Sequence, residues 1–127
     1  MTRAVLDTSV LVATDVGRLE GDLAVSVASL AELHFGALVT DDEPIRAERL
    51  RRLALVEHLF DALPIDVSVA RSYGHLAATA ARAGRRPRSR VMDLLIAATA
   101  HAHDAVLYSR NPRDLRAVEH LLEIRPV

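Results

Sequence analysis

Short apolar and β-branched runs alternate along this chain with longer stretches whose apolar residues recur at helical spacing. Residues 4–6, 23–27, 63–65, 105–108 and 122–124 read as strands. Residues 9–14, 31–39, 44–60, 69–82 and 91–101 read as helices, the third opening on Pro44, which suits a first helical position. The Gly84-Arg85-Arg86-Pro87 stretch breaks the fourth helix from the fifth. No repeat, low-complexity tract or linker divides the chain. Alternation of this kind predicts an α/β fold in one domain, residues 1–127, with a mostly parallel sheet covered on both faces.

Strand direction then predicts where acids meet. Open α/β sheets bind ligands at the carboxyl ends of their strands. Asp7 directly follows the first strand. Glu32 falls in the first turn of the helix read as 31–39, which begins at that same edge. The helix from Val91 must end at the amino edge to feed the strand at 105, so it starts at the carboxyl edge with Asp93 in its first turn. The segment Ser109-Arg110-Asn111-Pro112-Arg113-Asp114 follows the fourth strand to the same place. Four distant segments thus deliver Asp7, Glu32 and Asp93, with Asn111 and Asp114, to one edge. Two carboxylates about 5 Å apart repel by roughly 3 kcal/mol at an effective dielectric near 20. A divalent cation removes that penalty, and oxygen-only donors favour Mg²⁺ or Mn²⁺. Such ions polarise a phosphate oxygen and activate water, which is the chemistry of phosphodiester hydrolysis.

Each acid also has a plain structural explanation. Asp7 before Thr8-Ser9 is a helix cap. Ser29-Leu30-Ala31-Glu32 has the form of a capping box. Asp93 complements a helix dipole. It is their joint placement at one edge that these explanations leave unaccounted for. Thr8 and Ser9 are candidates to bond the Asp7 carboxylate or, with Ser109 and Asn111, the substrate. His101 and His103, two apart, do not share a helix face and make a poor metal pair.

Composition changes the picture in three ways. The formal charge is −1, yet all 16 basic residues are Arg, and Arg82, Arg85, Arg86, Arg88 and Arg90 fall within nine positions. That run is either a solvated loop or a hold on a polyanionic backbone, with Arg86, Arg88 and Arg90 as contacts beside Asp93. Phe35, Phe60, Tyr73 and Tyr108 are the only aromatics, too few for a base-stacking platform. There is no cysteine, which excludes disulfides and thiolate metal sites and fits a reducing cytoplasm. No apolar run approaches a membrane span, and MTRAVLDTSV does not read as a signal peptide. Phosphate-binding glycine motifs are absent, and Ser9 lacks the setting of a serine nucleophile.

The segments Leu6-Asp7-Thr8-Ser9-Val10, Ser29-Leu30-Ala31-Glu32-Leu33, Met92-Asp93-Leu94-Leu95-Ile96-Ala97-Ala98-Thr99-Ala100 and Ser109-Arg110-Asn111-Pro112-Arg113-Asp114-Leu115 resemble, in order and spacing, those of PIN-domain ribonucleases. The resemblance is strongest to the VapC toxins of bacterial toxin–antitoxin pairs, and it spans essentially the whole chain. It implies a three-layer sandwich with a five-stranded parallel sheet flanked by helices. It implies Mg²⁺- or Mn²⁺-dependent endonucleolytic cleavage of RNA, in this family often tRNA or rRNA. It further implies a homodimer and an antitoxin partner. On this reading Asp7, Glu32 and Asp93 ligate metal and orient the attacking water. The apolar helix carrying Leu53, Val56, Leu59 and Phe60, otherwise a deeply buried helix, becomes an antitoxin groove. One departure stands out. The family often has a fourth acid after a Thr beyond the fourth strand, whereas here Ser109 replaces the Thr and Asn111 the acid, with Asp114 remaining. Two other functions fit parts of the pattern: a non-catalytic RNA- or protein-binding module on the same fold, and a phosphatase or receiver domain using Asp7 as covalent acceptor. The latter normally needs a nearby Lys, and this chain has none.

Overall fold

The computed structural model describes residues 1–127. Five strands form one sheet: β1 (Arg3–Leu6), β2 (Asp22–Ser26), β3 (Asp61–Leu63), β4 (Val106–Ser109) and β5 (Ile124–Pro126). Their order is β3-β2-β1-β4-β5, and every neighbouring pair is parallel. The helices are α1 (Thr8–Leu11), α2 (Val27–Val39), α3 (Glu43–Leu59), α4 (Val67–Arg82) and α5 (Val91–Ala102). Two 3₁₀ turns, at Pro87–Arg90 and Pro112–Val118, precede α5 and follow β4.

Side-chain alternation along the strands divides the core. Val5, Ala24 and Leu107 face a large cluster with Val69 and Leu76 of α4 and Leu94, Ala97 and Ala98 of α5. Ala4, Leu6, Val25, Val106 and Tyr108 face a smaller one with Val10 and Leu11 of α1 and Val56 of α3. Helices therefore cover both faces, as the predicted three layers require. No helix is long and apolar enough to cross a membrane.

The predicted elements are present, with boundaries shifted by the caps. Asp42 and Asp66 accept from the amides of Ile45 and Val69, which starts α3 and α4 earlier than their apolar periodicity indicates. The third strand ends at Leu63 instead of 65, because extended chain and the Asp66 cap follow it. The largest shift concerns α2. It begins at Val27, where the hydrophobic pattern placed strand, because Ser26 Oγ accepts from the Ala28 amide at 3.0 Å. The Ser29–Glu32 capping box does not form, and Glu32 sits in the second turn, not the first.

Candidate active site

The chain runs outward from β1 through β2 to β3, then returns to place β4 on the other side of β1. This is a topological switch point, where parallel sheets open a crevice at their carboxyl edge. A cavity of about 280 Å³ lies there, lined by Asp7, Thr8, Ser9, Glu32, Asp93, Ser109, Asn111 and Asp114, among others. All four expected acids reach it, from four separate segments.

Asp7 ends β1, and its amide extends the β1–β4 ladder by donating to the Tyr108 carbonyl at 3.1 Å. Its carboxylate caps α1 through the Val10 amide and accepts from Ser9 Oγ. The helix-cap explanation and the site explanation therefore both hold for this residue. Glu32 points from the second turn of α2 toward α1, where Thr8 Oγ1 donates to it at 2.6 Å, with Ser29 Oγ 3.1 Å from that hydroxyl. Ser9 Oγ also accepts from the Arg110 amide at 3.0 Å, tying α1 to the strand end beyond β4. Thr8 and Ser9 thus use their hydroxyls to aim acids.

Asp93 lies in the first turn of α5, half-buried. Burial is the main cause that lifts its carboxyl above the usual aspartate range; Arg90 opposes the rise, and the charges of Asp114 and Asp7 add to it. Arg90 Nη1 stands 3.5 Å from the Asp93 carboxylate and 3.2 Å from that of Asp114. Asn111 and Asp114 both line the cavity, so the two candidates for the fourth position are brought there together. Ser109 is buried, and its Oγ accepts from the Asn111 amide at 3.0 Å, shaping the turn. Arg88 is exposed and does not line this cavity.

The donor set is oxygen only and rich in charge, which fits a hard divalent cation. As they stand, no three acids or histidines are gathered closely enough to hold an ion. The reason is visible in the partners: Ser9 holds Asp7, Thr8 holds Glu32, and Arg90 occupies Asp93 and Asp114.

A sequence model of the PIN domain matches residues 4–121. Ribonuclease VapC5 of Mycobacterium tuberculosis is 41% identical over 102 residues, covering 76% of this chain and 73% of the relative. The chain belongs to the PIN-domain family, among the VapC ribonucleases. This PIN domain is also similar to Ribonuclease VapC8 of the same species, 38% identical over 99 residues, with 75% and 88% of the two chains covered. In three dimensions it matches the crystal structure of VapBC-5 from M. tuberculosis, a member of the VapBC family of toxin–antitoxin systems. The TM-score is 0.85 and the identity 34%, over 100% of this chain and 98% of that one.

One feature of this PIN domain was hidden in its sequence. The bond from Thr8 to Glu32 joins positions whose proximity no local pattern encodes. The apolar groove anticipated on the helix carrying Val56, Leu59 and Phe60 also takes in α1 and the loop after it. It measures about 620 Å³ and is lined by Val56, Leu59 and Phe60 as expected, with Leu55, Val10 and Leu11, and by Arg18, Arg51 and Arg52. Leu53 is not part of it. Its side chain is buried within the fold, 3% exposed.

Proposed function

We propose that this VapC-type PIN domain is a Mg²⁺- or Mn²⁺-dependent endoribonuclease that cleaves structured RNA, tRNA or rRNA, as the toxin of a toxin–antitoxin pair. The observation that carries the reading is the single cavity at the β1–β4 switch point, to which four carboxylates are delivered by four separate segments. Asp7, Glu32 and Asp93 are its proposed metal ligands, with Asp114 and Asn111 contributing directly or through water. When bound, the ion supplies Lewis acidity toward a phosphate oxygen and neutralises the carboxylates. Ser9 and Thr8 keep Asp7 and Glu32 oriented, and Arg90 exchanges its acid contacts for a substrate phosphate.

The site residues are tested by Asp7→Asn and Asp93→Asn. Each lowers Mn²⁺-dependent RNA cleavage by at least ~100-fold, since even residues that only support metal ligands are worth 10- to 100-fold. Cleavage at the parental rate in both variants rejects the assignment. The carboxylates are not preassembled around a point, an arrangement that a non-catalytic binding module on this fold would also have. Calorimetry separates the two: the nuclease gives a Mn²⁺ binding heat that Asp93→Asn removes, and the binding module gives none.

The groove of α1 and α3 supports a protein partner. Leu59 is 66% exposed and Leu55 44%, an apolar surface that a partner segment would bury. The solved relative belongs to a toxin–antitoxin system, which makes a cognate antitoxin the proposed occupant. A homodimer and a cytoplasmic location complete the proposal.

A further inference from the structure

Next to the acidic cavity lies a second one, of about 460 Å³ and opposite charge. Its lining includes Arg85, Arg86 and Arg90 from the segment between α4 and α5, and Arg113 and Arg116 from the turn after β4. Asp114 and Leu115 line both cavities, so the two open side by side. Sequence alone offered only the first of these two arginine segments; the fold adds the second.

Several properties of this lining point to one ligand chemistry. Arg85, Arg86, Arg113 and Arg116 have no carboxylate partner, for the ion pairs of the chain are made by other residues. Asp114 is the only acid of the lining, and Arg90 already engages it. Four unpaired guanidiniums lining one cavity make it a favourable place for an anion. The net charge of the chain is −1, so this concentration is local and not a reflection of a basic protein. Guanidinium forks match phosphate oxygens bidentately. No aromatic residue lines the cavity, so it offers no platform for a base. Its position matters equally. A phosphodiester strand whose reacting phosphate sits over Asp7 and Asp93 reaches the arginine cavity by crossing Asp114 and Leu115, which line both.

We propose that the arginine cavity is a phosphate subsite, holding the RNA backbone at a phosphodiester that flanks the scissile one. This rests on the ribonuclease reading, and names which part of the strand each segment holds. Arg113 and Arg116 face the strand from the turn after β4, Arg85 and Arg86 from the break before α5.

The test measures binding apart from cleavage. A fluorescent single-stranded oligoribonucleotide is titrated with the chain in EDTA, by anisotropy, over a series of salt concentrations. The variants are R113Q/R116Q and R85Q/R86Q, with R88Q as the arginine outside the cavity. The expected result is an affinity loss of about tenfold or more for each cavity pair. The slope of log affinity against log salt falls by about 0.7 for each phosphate of a single strand that the variant no longer neutralises. R88Q changes little, and R113K/R116K restores the slope. All these residues but Arg88 line the cavity at the surface of 3₁₀ or loop segments, and melting curves confirm that each variant is folded.

Affinity and slope unchanged in both cavity pairs overturn the subsite. So does inorganic pyrophosphate displacing the oligonucleotide as tightly as unlabelled RNA, which assigns the cavity to a small free anion. If the unaltered chain cleaves the same RNA with Mn²⁺ while the cavity variants bind normally, the subsite alone fails. A chain that neither binds nor cleaves RNA removes both readings.

Discussion

Asp93 sits half-buried beside Arg90, with the charges of Asp114 and Asp7 acting on it. Its folded-state pKa lies above the ordinary 3.8, with burial the leading cause. The folded chain therefore holds this proton more tightly than the unfolded one. Between the two pKa values it binds more protons, so stability falls as pH rises through that window, and the full penalty is present above it. At neutral pH the metal-free chain carries that penalty. Asp93→Asn is expected to raise the melting temperature of the EDTA-treated protein at pH 7, and to abolish the rise that Mn²⁺ gives the parent. For a single site at a hundredfold excess over Kd, that rise corresponds to about 2.7 kcal/mol. A lowered melting point in EDTA contradicts the account. Thr8 makes a separate case. Thr8→Val removes the hydroxyl that aims Glu32 while keeping the shape. A drop of about 10- to 100-fold in metal affinity or cleavage follows, read by Mn²⁺ calorimetry and by the initial rate.

Among the elements, β2 depends on how the chain enters it. Gly21 has φ +118°, a region side chains rarely adopt, and an added Cβ would stand 2.8 Å from the Thr2 carbonyl oxygen. That carbonyl accepts from the Asp22 amide at 2.8 Å, which starts the β1–β2 ladder. Gly21→Ala is expected to cost roughly 1–3 kcal/mol, measured by denaturant unfolding; a stability equal to the parent's would show that the loop relaxes freely. The sequence displayed the strand–helix alternation, and with it the edge at which Asp7, Asp93 and the segment after β4 had to meet, because parallel direction follows from local periodicity. It misplaced the start of α2, since Val25-Ser26-Val27 reads as strand until one sees Ser26 capping a helix. That error put Glu32 in the wrong turn, although at the right edge. Arg113 and Arg116 gave no signal at all. Their approach to Arg85 and Arg86 depends on the packing of a 3₁₀ turn against α4, which no pattern within either segment records.

For the molecule as a whole, the acid cavity and the apolar groove have no lining residue in common, and α1 runs between them: Thr8 and Ser9 line the first, Val10 and Leu11 the second. Leu55→Asp with Leu59→Asp is expected to leave the melting point within a degree or two, as both side chains are exposed. The same pair should abolish co-purification of the proposed antitoxin when it is co-expressed; retained complex would move the interface elsewhere. The order β3-β2-β1-β4-β5 also bears on how such a protein is made. Asp7 is synthesised well before Asp114, and β4, which must settle directly against β1, is made only after β2 and β3. A nascent chain that has not reached β4 has an exposed edge on β1 and no complete acid cluster. The acid cluster therefore closes only once β4 and the turn after it are made, and a product truncated before β4 lacks Ser109, Asn111 and Asp114 from its lining.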